Sequence, residues 1–183
     1  MNFSSAGIDG LFVISAEPHK DARGIFYRMF CADEIKKSGI DFHVVQVNHS
    51  LTALRGTVRG MHYQNSPMAE AKIISCVSGS VFDVAVDVRR SSPTFLRWHA
   101  EILSAENMRM YFLPAGFAHG FQALEENTRL VYFHNQFYSP GHESGVRHDD
   151  PSICINWPLT PECLSTRDLS YPFINSSFAG ASL

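Results

Sequence analysis

Ser80-Val81-Phe82-Asp83-Val84-Ala85-Val86-Asp87-Val88 is the clearest strand in the chain. Alternate side chains of an extended chain point to opposite faces. Phe82, Val84, Val86 and Val88 therefore share one face, and Val81, Asp83, Ala85 and Asp87 share the other. Before this segment, residues 44–50, 58–64 and 72–77 read as strands; after it, so do 97–103, 108–113 and 128–138. Gly56, Gly60, Pro67, Gly79, Pro93, Pro114, Gly116 and Pro140 punctuate them at intervals suited to short antiparallel strands. Helical signals are confined to residues 33–37, closed by Gly39, and to the loose capping pattern Ser165-Thr166-Arg167-Asp168. Many short strands with little helix predict an all-β sandwich or jelly-roll barrel with a few short helices.

The 183 residues suit a single domain, 1–183, with no linker, repeat or low-complexity tract. A composition that is 45% hydrophobic and 18% charged supports a buried core and excludes a disordered chain. A net charge of -3 leaves no basic footprint for nucleic acid. Cys31, Cys76, Cys154 and Cys163 form no CxxC pair and are too sparse for a disulfide framework. The N-terminus lacks a basic region ahead of an apolar stretch, and no apolar run is long enough to cross a bilayer. The expectation is a reduced, soluble, cytoplasmic protein with no membrane partner.

Several polar residues stand where a barrel interior is expected. Gln46, Asn48 and Ser50 share one face of their strand and Val45 and Val47 the other, a pattern that by itself suits a wet surface strand. Lys72 shares a face with Ile74 and Cys76, so its ammonium either belongs to a functional interior or extends along the strand end to solvent. Arg59, His62 and Gln64 lie on one strand in which Gly60 permits a bulge. Pro114-Ala115-Gly116-Phe117-Ala118-His119 is a turn leading into Gly120-Phe121-Gln122, and its PxGxxH spacing resembles the second signature of cupin jelly rolls. The first cupin signature is incomplete. Gly56, His62 and Glu70 fit it, but Gln64 replaces the second histidine of the HxH pair, which weakens any divalent metal site.

A closer resemblance emerges from longer segments. DARGIFYRMFC, QVNHS, GTVRGMHYQ, EAKIISCVSGSVFDVAVDVRRSSPTF, LSAENMRMYFLPAGFAHGFQALEENT and DDPSICINWP, spread over residues 21–172, resemble the dTDP-4-dehydrorhamnose 3,5-epimerases. The resemblance implies a cupin-type jelly roll working as a homodimer without metal or cofactor. It further implies a nucleotide-linked 4-keto-6-deoxyhexose as substrate, inverted at C3 and C5 in deoxysugar synthesis. Both carbons flank the C4 ketone, so loss of either hydrogen gives an enolate with its charge on the C4 oxygen. Such chemistry needs a base, a cation near that oxygen and an acid on the opposite face. By resemblance His62 is the base, Asp168 orients it, Lys72 stabilises the enolate and Tyr132 is the acid. An imidazole suits a base near neutral pH. Without the resemblance, Tyr132 reads as a core aromatic with a satisfied hydroxyl.

The resemblance assigns Arg59, His119 and Arg167 to the sugar and pyrophosphate, Gln46 and Asn48 to the nucleotide, and Tyr138 to stacking on the base. Arg23, Phe26, Arg28 and Glu143 also match ligand-contacting positions, with the Arg23 region supplied by the partner subunit. Arg28 stands where the family carries a glutamate against thymine. A guanidinium only donates hydrogen bonds, which points to a nucleotide whose base offers an acceptor, CDP being the candidate. Three other readings stay open: inversion at C3 or C5 alone, a metal-dependent cupin isomerase or oxygenase using His62, Glu70 and His119, and a non-catalytic sugar-nucleotide binding module. The last requires loss of a member of the base, cation and acid set, and all are present.

Overall fold

The computed structural model describes residues 1–183. In chain order the strands are β1 (Asn2–Ser5), β2 (Phe12–Ser15), β3 (His19–Asp21), β4 (Gly24–Phe26), β5 (Gln46–Thr52), β6 (Val58–Gln64), β7 (Lys72–Ser78), β8 (Ser80–Asp87), β9 (Trp98–Ser104), β10 (Arg109–Leu113), β11 (Phe117–Ala123), β12 (Thr128–His134) and β13 (Glu143–Gly145). Two short helices, α1 (Ala32–Lys37) and α2 (Thr166–Ser170), complete the chain. A six-stranded sheet, β1-β2-β10-β7-β12-β5, faces a five-stranded sheet, β13-β6-β11-β8-β9, and the two remain separate in hydrogen bonding. Every strand pair in them is antiparallel. The hairpin β3–β4 stands apart. This is the expected all-β architecture.

Alternation along β8 divides the core. Val81 and Ala85 join Ile74, Cys76, Leu103, Tyr111, Leu113, Phe117, Phe121 and Leu130 between the sheets. Val84, Val86 and Val88 pack on the other side with Met61, Tyr63, Val146 and Ile153. Trp157, Ile174 and Phe178, from the chain after β13, cover that outer layer. The outer face of the six-stranded sheet is covered by Ile35 of α1 with Ile40 and Phe42, which pack on Ile73, Met110 and Phe112. Coverage stops short of the β5 edge, where Val47 and Leu51 are 55% and 45% exposed.

Three differences from the sequence reading have local causes. The strand expected over 128–138 ends at His134, because the next residues are bent into a loop. There Asn135 accepts from the Ala71 N–H, while Gln64 donates to the Phe137 carbonyl and accepts from the Ser139 N–H. The segment expected to turn before Gly120 enters its strand at Phe117. The N-terminal strands β1 to β4 are only three or four residues long, too short for period two to register.

Candidate active site

A cavity of about 770 Å³ opens between the sheets, and polar side chains from both walls line it. From the six-stranded sheet come Asn48, Ser50, Lys72, Tyr132 and His134; from the five-stranded sheet, Arg59, His62 and His119. Arg167 and Asp168 of α2 close one side. Asn48 and Ser50 of β5 thus face the cavity and Val47 points out, the reverse of a strand with its polar face to bulk water.

Arg59 and His62 are three residues apart, so a regular strand would aim them at opposite faces. On β11, however, His119 pairs with His62 and Phe121 with Arg59, which leaves one extra residue on β6. The bulge sits at Gly60, whose φ is +123°. A Cβ there would lie 2.6 Å from the Gly120 Cα and 2.8 Å from the His119 carbonyl oxygen. Only glycine admits this close approach, and it turns both side chains into the cavity.

The base candidate is fixed by α2. Ser165 caps the helix by accepting from the Asp168 N–H at 3.0 Å. The Asp168 carboxylate reaches across, Oδ1 to His62 Nε2 at 2.7 Å, and Oδ2 accepts from the Gly60 N–H at 3.2 Å. Burial alone would raise the Asp168 carboxyl, but hydrogen bonds from His62, Gly60 and Ser165 hold it below the ordinary carboxylate range. An ionised carboxylate only accepts. Nε2 of His62 therefore carries the hydrogen, and Nδ1 is left with the lone pair. Arg167 Nη2 lies 3.2 Å from the same Nε2. Both groups are then donors, so that contact brings charge close without a hydrogen bond.

On the facing wall, Tyr132 places its hydroxyl 3.3 Å from Ser50 Oγ. Burial drives its phenol well above the ordinary tyrosine range, so it stays protonated and able to donate. Lys72 is 8% exposed and pairs with Glu70 at 2.8 Å. His119 Nε2 meets Asp83 Oδ1 at 2.9 Å, an aspartate fully buried on β8. Burial pushes the Asp83 carboxyl up, more than the His119 charge and hydrogen bond bring it down.

Tyr138, Glu143 and Arg167 gather at the rim. The Tyr138 hydroxyl and Arg167 Nη1 both donate to Glu143 Oε2 at 2.8 Å. Gln46, next to them, accepts from the Tyr138 N–H. Arg23, Phe26 and Arg28 do not reach the cavity of their own chain. Arg23 pairs with Asp21 on the exposed β3–β4 hairpin, Phe26 is 75% exposed, and Arg28 is ion-paired with Glu34 of α1.

The residues of the metal-cupin reading do not form a site. His62 Nε2 is committed to Asp168, His119 Nε2 to Asp83, and Glu70 to Lys72 and His134. No three His, Cys, Asp or Glu side chains converge as metal ligands. Gln64, in the place of the second histidine, is 2% exposed and spends its amide on the backbone of Met68, Phe137 and Ser139. Sequence reasoning missed Asp83, His134 and the pairing of Glu70 with Lys72. The available signal was Asp83 itself, an acid between Val81 and Ala85 on the inward face of its strand.

The model of the family described as dTDP-4-dehydrorhamnose 3,5-epimerase matches residues 5–176. A dTDP-4-dehydrorhamnose 3,5-epimerase of Sinorhizobium fredii is 43% identical over 94% of this chain and 89% of its own. A dTDP-6-deoxy-D-glucose-3,5-epimerase from Legionella pneumophila, solved in complex with dTDP-4-keto-L-rhamnose, superposes with a TM-score of 0.92 at 36% identity, covering 100% of this chain and 98% of that one. A 3'-monoepimerase from Streptomyces bikiniensis, solved with dTDP-quinovose, gives 0.86 at 37% identity, with 91% and 85% covered. These relatives are named for dTDP-linked sugars and lend no support to the CDP reading drawn from Arg28. With its cavity, its two-sheet architecture and its match over nearly the whole length, the chain belongs to the dTDP-4-dehydrorhamnose 3,5-epimerase family.

Proposed function

We propose that the protein is a nucleotide-sugar epimerase that inverts C3 and C5 of dTDP-4-dehydro-6-deoxyglucose to give the dTDP-4-dehydrorhamnose type of product in deoxysugar synthesis. One observation carries this reading: His62 and Tyr132 stand on different sheets and line the same cavity. A sugar ring bound between them meets a base on one face and an acid on the other. His62 Nδ1 takes the proton from the carbon next to the ketone, and the C–H electron pair becomes the enolate double bond. Negative charge develops on the C4 oxygen, where the Lys72 ammonium stabilises it. The Tyr132 hydroxyl then delivers a proton to the opposite face and the carbon is inverted. The ketone serves as the electron sink, so the reaction needs no added cofactor. Asp168 stabilises the imidazolium and fixes its tautomer.

Arg59, His119 and Arg167 are suited to the sugar and pyrophosphate, and Gln46, Asn48, Tyr138 and Glu143 to the nucleotide. Residues 1–183 act as one domain on this reading, and the cytoplasm is its compartment. No helix is long and apolar enough to cross a membrane. A homodimer is supported by surface left uncovered in one chain. Ile25 and Phe26 of the β3–β4 hairpin and Val47 and Leu51 of β5 are all 45% exposed or more. Burying such a surface against a second copy would bring Arg23 and Phe26 to the partner's site.

The test follows C3 and C5 of dTDP-4-dehydro-6-deoxyglucose by proton NMR in deuterium oxide. Loss of both signals, with a His62→Ala protein inert, is the expected result. Exchange at one carbon makes the protein a monoepimerase, and no exchange overturns the proposal.

A further inference from the structure

Lys72 is not held by the cavity alone. It also lines a smaller recess of about 120 Å³, shared with Gln46, Tyr138 and Glu143 of the rim, whose walls include Glu70, a residue absent from the lining of the main cavity. Both Glu70 oxygens are spent: Oε1 accepts from Lys72 Nζ at 2.8 Å and Oε2 meets His134 Nδ1 at 2.9 Å. The three side chains are 9–11% exposed. Asn48 Nδ2 donates to His134 Nε2 at 3.4 Å, which leaves the ring hydrogen on Nδ1, pointed at Glu70. The relay continues outward, since Gln46 Nε2 donates to Asn48 Oδ1 and the Tyr138 N–H donates to Gln46 Oε1. Every donor from Tyr138 to His134 points toward Glu70, where the relay meets the lysine. The His134 ring also stacks on Tyr132, with centroids 6.1 Å apart and planes 25° from parallel.

We propose that Glu70 and His134 are positioning residues that hold the Lys72 ammonium in place for the developing enolate. A lysine side chain has four flexible bonds and a compact charge with no preferred direction. Near the cavity it would swing toward any acceptor or toward water. Glu70 removes that freedom with one of the three ammonium hydrogens and leaves two for the C4 oxygen. His134 in turn fixes the carboxylate, and by stacking on Tyr132 it ties the cation's support to the acid's ring. Burial alone would raise the Glu70 carboxyl, but the His134 hydrogen bond and the Lys72 charge keep it below the ordinary range. Glu70 therefore remains an anion able to grip the lysine.

The inference rests on Lys72 acting on the enolate, and a double-mutant cycle separates the two claims. Turnover and melting temperature are measured for the wild type, Glu70→Ala, Lys72→Met and the double variant with dTDP-4-dehydro-6-deoxyglucose. Glu70→Ala is expected to lower kcat roughly 10- to 100-fold with KM changed less than about twofold, because misplacement of a catalytic group is felt in the transition state. With Lys72 already replaced, the same change is expected to alter kcat by less than about twofold. If the alanine protein does not fold, Glu70→Gln replaces it in the cycle. Glutamine keeps an acceptor but no charge, and its expected kcat loss, about 3- to 10-fold, again disappears without Lys72. A multiplicative loss in the Lys72→Met background, or full kcat in the Glu70 variant, overturns the positioning role. Full kcat in Lys72→Met itself overturns the enolate role and the inference with it.

Discussion

Asp168 Oδ1 lies 2.7 Å from Nε2 of His62, although the two residues are 106 positions apart in the chain. The contact fixes the tautomer in which Nδ1 is the basic atom. Asp168→Asn is expected to lower kcat by at least roughly 10²-fold, since an amide can hold the ring in the wrong tautomer and cannot stabilise the imidazolium. Substrate KM should change little. Steady-state kinetics with far-UV circular dichroism on the same preparation checks both points.

Tyr132→Phe separates exchange from inversion. Without the phenol the base still forms the enolate, but the proton can return only from the face it left. Deuterium should therefore enter C3 or C5 with retained configuration while inversion falls roughly 10²- to 10⁴-fold. Proton NMR in deuterium oxide distinguishes the two carbons and the two configurations in one run. Inversion at the wild-type rate would remove Tyr132 from its role.

Gly60→Ala should damage both fold and function. The new Cβ would lie 2.6 Å from the Gly120 Cα, at a φ of +123° that side-chain-bearing residues avoid. A loss of about 3 kcal/mol or more in urea unfolding is expected, from strain and displacement of the neighbouring strand. Activity should fall beyond what stability accounts for, because Arg59 and His62 depend on this bulge.

Acid should weaken the fold through Asp87. Burial alone would raise its carboxyl, but Arg89, Ser92 and Thr94 all bond to it and hold it below the ordinary range. A depressed folded pKa contributes stability that is complete above the unfolded value, about 3.9, and lost as pH falls through the folded one. Urea midpoints should fall as pH is lowered from 5 to 3. Asp87→Asn should be less stable at pH 7 and lose less on acidification, and an unchanged pH slope would argue against this assignment.

Val47→Asp with Leu51→Asp tests the dimer. Both side chains are on the exposed face of β5, so charges there should leave the folded chain intact and split a dimer built on it. Sedimentation should report a monomer, with kcat/KM reduced because Arg23 and Phe26 of the partner are lost. Unchanged mass would place any dimer contact elsewhere.

Much of the scaffold was legible because alternation is a local signal. Val58–Gln64 has the bounds read from sequence, and the two faces of β8 separate as their spacing implies. What resisted reading depends on contacts distant in sequence. The polar face of β5 looks wet until the opposing sheet encloses it. Glu70 fits a metal-ligand pattern, and only the approach of β12 shows that it serves Lys72 and His134 instead. The capping pattern at Ser165 was visible, but nothing local says that the helix would deliver Asp168 to a strand so far upstream.

The segment that roofs the outer face of the five-stranded sheet also carries α2, so the same stretch of chain covers the core and supplies Asp168. Without that stretch the cavity would lack the side that Arg167 and Asp168 close, and His62 would have no carboxylate to set its tautomer. The His62–Asp168 pair therefore exists only where the C-terminal stretch lies against β6. Ligand grip and base thus share one dependence, because Arg167 and Asp168 reach the cavity on the same short helix.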